Sequence, residues 1–391
     1  MNIPTSNTPS RPAITHAVHT AINQQRLVGA VVLVAHRGEL AHVQASGFAD
    51  REQQRAIDVD TLFRLASVSK PIVSTAALVL IAQGKLALDE DIRRWLPDFT
   101  PRYDSKTDAV ITVRQLLNHT AGLSYGFYET DSHCPLAKAG VSDGMDSSPV
   151  TLAENMRRLA SVPLLFPPGS AWCYSLSVDV LGAVVEQVFG APLQVAVREL
   201  VTAPLGMHDT GFSVDRSQAQ RLATPYVNDQ PQPHILQEDE KVSDDETTVG
   251  VTFSPERIFN AAAFPSAGAG MAGSAPDLLR LLEALRANQG AILPPELIAE
   301  MGRDQIPGFE MPDAPGQGFG LGFSVLRDPQ AAGSPASPGT WRWGGVYGHS
   351  WFVDPVREIS VVAMTNTLYE GVGGAFVEEL RNAVYDSLKD S

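Results

Sequence analysis

Phe63-Arg64-Leu65-Ala66-Ser67-Val68-Ser69-Lys70, continuing as Pro71-Ile72-Val73-Ser74-Thr75-Ala76-Ala77-Leu78-Val79-Leu80-Ile81-Ala82-Gln83-Gly84, is the stretch on which the fold turns. Residues 71–83 are nearly all apolar, and Gly84 stands where a helix C-terminus favours a left-handed residue. A helix apolar on every side is a buried one. At its entrance Ser67 and Lys70 are three residues apart, one helical turn, on one face. A serine hydroxyl is a poor nucleophile at neutral pH, and a desolvated lysine that has lost its proton can serve as its base. The N-terminus of the helix adds aligned N–H donors. S-x-x-K alone arises by chance about once in a chain of this length, and a helix-capping serine looks the same. The context has to carry the weight.

Outward from this stretch, both ends of the chain read as helix and strand. Ile14, Val18, Ala21 and Ile22 share one face of an amphipathic helix over 14–25. Extended runs over 30–35 and 40–45, separated by His36-Arg37-Gly38-Glu39, read as a hairpin. Near the C-terminus strands are expected over 320–326, 340–346, 351–354 and 359–365, then a last helix over 374–388. Between them, helical segments over 113–118, 152–160, 178–188 and 275–287 alternate with Pro/Gly-rich connections, including an acidic loop over 228–246. The expected fold is α/β (α+β): an antiparallel sheet built from both chain ends and flanked by helices, with a mostly helical inserted domain. The approximate division is 1–90 with 300–391 for the sheet domain and 91–299 for the helical region. No internal repeat is visible.

Two further segments bear chemistry. Pro168-Gly169-Ser170-Ala171-Trp172-Cys173-Tyr174-Ser175-Leu176 carries Tyr174, whose phenol, ordinarily titrating near about pH 10, can relay a proton if a cation stabilises its phenolate. Trp343-Gly344-Gly345 places two glycines in an expected strand, where they let a substrate approach the backbone.

In this order the three segments resemble the active-site boxes of the serine β-lactamase and penicillin-binding superfamily. With residues 116–123 and 268–271 the likeness spans nearly the whole chain. It is similar above all to the class C β-lactamase-like esterases, the family VIII carboxylesterases, notably at Trp343-Gly344-Gly345-Val346-Tyr347-Gly348-His349-Ser350-Trp351. The resemblance implies the β-lactamase/penicillin-binding fold, with Ser67 as nucleophile and Lys70 and Tyr174 as the proton-transferring pair. It implies an oxyanion hole from the backbone N–H groups of Ser67 and Val346, and substrate contacts from Tyr125, Trp343, Gly344 and Gly345. The implied activity is hydrolysis of short-chain esters, the acetyl ester of cephalosporins among them, through an acyl-enzyme without metal or cofactor.

Two residues depart from the superfamily pattern. Leu176 stands where β-lactamases and peptidases have Asn, and Trp343 where they have a cation. Losing that cation costs an anionic β-lactam or peptide terminus a charge-assisted hydrogen bond, worth roughly 1.5–3 kcal/mol. A neutral ester loses little. The competing readings are a β-lactamase or D-peptidase, an acyltransferase, and a penicillin-recognition module without turnover.

Gly122-Leu123-Ser124-Tyr125-Gly126 also fits the G-x-S-x-G elbow of α/β-hydrolases. An elbow needs a strand before it and a helix after it, and Ser124 follows a helical segment instead. His119 and His349 are expected to be structural, since Ser/Lys/Tyr chemistry needs no histidine, and Asp179 to support the Tyr174 segment.

Composition narrows the partners. The chain has 391 residues, 44% of them hydrophobic, and a formal net charge of −15. It is long enough for a sizeable core, and its negative field disfavours nucleic acid and anionic membranes. The partner expected is a small-molecule ester. Residues 1–10 lack a basic and apolar leader pattern, and no apolar run approaches the ~18 residues of a spanning helix. The expected location is cytoplasmic. Cys134 and Cys173 have no metal-ligand spacing and are expected to be free thiols.

Overall fold

The computed structural model describes residues 10–104, 108–131, 133–243, 245–287 and 292–389. The start of the chain, apart from Ser10, lies outside them.

An eight-stranded antiparallel sheet draws three strands from the N-terminal end, β1 (Gly29–His36), β2 (Glu39–Asp50) and β3 (Arg55–Ala56). The C-terminal end adds β4 (Gln317–Phe319), β5 (Ser324–Leu326), β6 (Trp341–Gly345), β7 (His349–Asp354) and β8 (Ile359–Thr365). The order β4-β5-β6-β7-β8-β1-β2-β3 makes β1 and β8 the central seam, with Val32 opposite both Ala363 and Gln44. The continuous β-branched run of β1 belongs in that seam, because both of its faces are covered.

Strand alternation divides the core. Ala30, Val32 and Val34 pack with α1 (Pro12–Asn23) and the C-terminal helix over Ala375–Ser387. Val31, Leu33 and Ala35 face the opposite layer, with α2 (Ser69–Ala82) at its centre. Every α2 residue from Ser69 to Leu80 is buried, Lys70 and the hydroxyl residues Ser69, Ser74 and Thr75 included, as a helix apolar on most of its sides requires. α3 (Ser177–Phe189) packs against α2, and α4 (Ala275–Arg286) lies across β1 and β8. A division of the chain by packing would therefore put α4 with the sheet rather than in the 91–299 region. The helix over Ala375–Ser387 completes the set as α5.

Two expectations differ in detail. The strand expected over 320–326 is a turn and a strand: β4 and β5 are joined through Gly322, whose positive φ and lack of Cβ let Ser74 of α2 pass close by. The acidic 228–246 region is not wholly loop. His234–Ile235 pairs with Tyr226–Val227, and Glu240–Val242 with Val251–Phe253, while Asp244 lies outside the described residues. Both pairings are too short and polar to leave an alternating pattern. Among the described residues no single helix is long and apolar enough to cross a membrane; one pair could by length together, but is bent by 81°.

Phe376 on α5 is fully buried between its helix and the sheet. Phe376→Ala should destabilise the protein by about 3–5 kcal/mol, read from the midpoint of urea unfolding.

Candidate active site

The site forms where three chain segments cross above α2. The first is the turn ahead of that helix. Leu62–Arg64 pairs with Ala272–Ser274, the Leu65 N–H donates to Met271 O at 2.8 Å, and the Met271 N–H donates to Ser69 Oγ at 3.2 Å. Between these anchors Ala66 takes a positive φ of 44°, a strained setting for a residue with a Cβ. Ser67 follows it within a 3-10 turn over Ala66–Val68, immediately before α2.

Lys70, in the first turn of α2, is fully buried. Its Nζ donates to Ser67 Oγ at 3.1 Å and to Gly268 O at 2.9 Å. The amine also lies 4.6 Å from the centre of the Tyr174 ring and 5.3 Å from that of Tyr125. Burial lowers its pKa to about 7, against the opposing pull of Asp179 and Asp143. A large fraction of Lys70 is therefore neutral near physiological pH.

The second segment brings Tyr174, whose hydroxyl donates to Ser67 Oγ at 2.7 Å. Burial raises the Tyr174 pKa, so the phenol keeps its proton at neutral pH. His119 sets this segment in place: its Nδ1 accepts the Ser175 N–H at 3.2 Å, and its ring lies 4.9 Å from the Tyr174 ring. Burial holds His119 well below its ordinary pKa, and His349, whose Nε2 donates to Arg64 O at 2.7 Å, at about 4. Both imidazoles are neutral supports at the edges of the site.

The third segment is the end of β6. A Cβ on Gly345 would lie 2.3 Å from Leu65 O, so only glycine lets the strand reach the Ser67 turn. A Cβ on Gly344 would meet His349 O at 2.5 Å and Val372 at 2.6 Å. The space both glycines leave is thus filled by protein, a more immediate reason for them than substrate approach. Val346 follows directly and packs on the cluster that contains Ala66, and among the described residues no hydrogen bond is made by its N–H or by that of Ser67.

Aromatic rings enclose the serine. Trp343 stands 5.2 Å from Tyr174 and 5.2 Å from Phe319, ring centre to ring centre. Tyr125 is buried behind Tyr174 at 5.2 Å and stacks on Phe127. Tyr128 brings a partly exposed edge to the same wall. Leu176 is fully buried within the main hydrophobic cluster, so it packs the core rather than the substrate side of Tyr174. Ser124 sits on irregular backbone after the short helix Val113–Leu117, with its hydroxyl toward Tyr125 O. Among the described residues no group of three or more His, Cys, Asp or Glu could hold a metal ion.

Sequence reading missed the carbonyl of Gly268 and the carboxyl of Asp143, which burial raises to a pKa of about 7 within reach of Lys70's charge. A backbone acceptor has no signature beyond the small residues around it.

Comparison with known proteins gives one answer. Residues 13–385 match the Beta-lactamase family. Esterase EstB of Burkholderia gladioli is 50% identical over 367 residues, 93% of this chain and 92% of that protein. Protein Rv1367c of Mycobacterium tuberculosis is 33% identical, covering 85% of this chain and 84% of its own. The solved structure of EstCE1, described as a hydrolase with promiscuous acyltransferase activity, superposes with a TM-score of 0.91 at 42% identity, over 96% of this chain and 98% of that one.

Gly345→Ala should force the Ser67 turn and β6 apart. The expected outcome is a fall in kcat of at least tenfold and a stability loss of about 1–3 kcal/mol. Gly373→Ala, where nothing lies within 4 Å of the added Cβ, should leave both unchanged in the same assays.

Proposed function

The chain belongs to the Beta-lactamase family, and from that premise we propose that it is a serine carboxylesterase that cleaves short-chain esters through an acyl-enzyme on Ser67. The observation that carries the proposal is the convergence of two proton-handling groups on one hydroxyl: Lys70 Nζ at 3.1 Å and Tyr174 OH at 2.7 Å from Ser67 Oγ. The similarity to Esterase EstB and EstCE1 supports the choice of ester.

In the first half-reaction Ser67 Oγ attacks the ester carbonyl, and neutral Lys70 takes the hydroxyl proton. The carbonyl oxygen gathers negative charge, which the N–H groups of Ser67 and Val346 stabilise as an oxyanion hole. Tyr174 gives its proton to the departing alkoxide and regains one from Lys70, so the alcohol leaves neutral and the acyl group stays on Ser67. Water then attacks the acyl-enzyme, giving one proton back to Ser67 Oγ through the same pair and leaving as the carboxylic acid. The raised Tyr174 pKa supports this division of labour, with the lysine as base and the phenol as relay.

Trp343 and Tyr128 supply an apolar wall suited to a short acyl or alkyl group, the acetyl ester of a cephalosporin among the candidates, while Tyr125, expected to touch substrate, is buried behind Tyr174 and backs that wall. Acyl transfer to an alcohol is a second reading, favoured by this aromatic wall and by the description of EstCE1. A place in the cytoplasm belongs to the same proposal and is supported by two free thiols, Cys134 and Cys173.

A p-nitrophenyl ester panel across acyl lengths tests the reading. Ser67→Ala should abolish turnover while Ser124→Ala retains most of it; the opposite pattern would move the nucleophile to Ser124. Set against a chromogenic cephalosporin, a short ester should show a kcat/KM at least about a hundredfold higher than opening of the lactam ring, roughly 2.7 kcal/mol in transition-state binding. Ring opening as fast as ester cleavage would make the protein a β-lactamase instead.

A further inference from the structure

Lys70 is held from behind as well as in front. Its second acceptor, Gly268 O, belongs to a tight turn in which the Gly270 N–H donates to Ser266 O at 2.8 Å and the Ala269 N–H donates to Ser266 Oγ at 3.1 Å. Ser266 Oγ in turn donates to Asp179 Oδ1 at 2.6 Å. Asp179 lies in the first turn of α3 and is fully buried. Its other oxygen, Oδ2, has no side-chain partner and faces the backbone of Gly268, where a Cβ would come within 2.4 Å of it; burial raises the carboxyl's pKa, while the Gly268 N–H and the charges of Lys70 and Arg257 favour its ionised form. A carboxylate buried with so few partners is costly for a fold to keep.

We infer that Asp179 is a positioning residue for Lys70, acting in two ways: through Ser266 it fixes the turn that presents Gly268 O to Nζ, and its buried charge sets how readily the amine gives up its proton. Gly268 is the hinge of this arrangement. Any side chain there would push the carboxylate away from the turn, and with it the carbonyl that holds the lysine. The inference rests on the esterase reading above, because it assigns a purpose to Lys70 as base.

Its sign follows from electrostatics. The groups that face Lys70 are Ser67 on its own turn, Tyr174 and Tyr125 with their rings, His119 from the Tyr174 segment, and the carboxyls of Asp179 and Asp143. Of these the two carboxyls favour the ammonium, so removing the charge of Asp179 favours the free amine. Asp179→Asn keeps an acceptor for Ser266 and removes the charge. Ser266→Ala does the reverse.

The test is the pH dependence of kcat/KM for a short p-nitrophenyl ester, measured on the wild type, Ser67→Ala, Asp179→Asn and Ser266→Ala, with melting temperature as a folding control. In the wild type the rate should rise through about pH 7, as Lys70 loses its proton. In Asp179→Asn this acid limb should move down by about one pH unit. The move should survive in an Asp143→Asn background, since Asp143 titrates in the same range and the limb is a property of the coupled set. In Ser266→Ala the limb should stay in place while kcat falls at least tenfold and KM changes little. A purely structural role for Asp179 would lower the activity of Asp179→Asn at every pH without moving its limb. An unmoved limb in a folded Asp179→Asn variant overturns the inference, as does full kcat in Ser266→Ala. Failure of the esterase reading looks different: the wild type would not turn over the ester, or Ser67→Ala would.

Discussion

The dehydration of one amine governs the architecture around it. An ammonium taken out of water loses solvation worth several kcal/mol even after relaxation, and the usual escape is to give up the proton. Lys70 is brought to that condition by α2, whose first twelve residues are all buried and which carries the side chain into the interior. Two acceptors on opposite sides, Ser67 Oγ and Gly268 O, then fix the direction of Nζ. The aromatic faces of Tyr174 and Tyr125 exclude water while giving weak support to whatever positive charge forms. Everything that packs on α2 helps keep this amine dry.

The second constraint is steric. The groups that meet at Ser67 come from segments around positions 66, 174, 268 and 345, and backbone has to touch backbone for them to converge. Gly345 against Leu65 O is such a touch, and Gly268 against the Asp179 carboxylate is one of backbone on side chain; at each a Cβ would lie within 2.4 Å of an oxygen. The antiparallel sheet makes the arrangement rigid, since β6 is pinned by β7, which hydrogen-bonds through β8 to the central β1. A strand inside such a ladder cannot swing away from the serine without breaking several bonds at once. The strained φ of Ala66 persists because hydrogen bonds on both of its flanks leave it no alternative.

What could be read in advance follows from what leaves a pattern. Periodicity gave the helix at Leu152–Ala160 and the strand at Ile359–Thr365 with their observed bounds, because each faces a core along its length. The nearly all-apolar run after Lys70 announced a buried helix, and the spacing of Ser67 and Lys70 announced their contact. Tyr174 was reached only through resemblance, for nothing local distinguishes a tyrosine that touches a serine 107 positions away. Side-chain direction was also hidden: Leu176 stands where the superfamily pattern has Asn, and it packs the core, since the backbone of 174–177 turns into α3 between Tyr174 and Leu176. The carbonyl of Gly268 was invisible for a deeper reason. Sequence records side chains, and half of Lys70's grip is backbone.

The exchange of a cation for Trp343 reaches further than substrate choice. In the proposed mechanism a second cation beside Tyr174 would stabilise its phenolate and let the phenol share the work of the base. The indole brings area and no charge, and the space around Tyr174 is then bounded by rings, with Lys70 as the nearest positive group. Burial without a compensating cation raises the phenol's pKa, and burial of the amine lowers the lysine's, so the two affinities for a proton are driven apart. In the proposed mechanism separation of that kind divides the roles: the group that loses its proton near neutrality would accept from Ser67, and the group that keeps it would donate to the leaving alkoxide. An ester suits this arrangement, because an alkoxide is a better leaving group than an amide nitrogen and asks less of the acid. The same residue that takes away the handle for an anionic substrate thereby sorts the proton chemistry toward the substrate that remains.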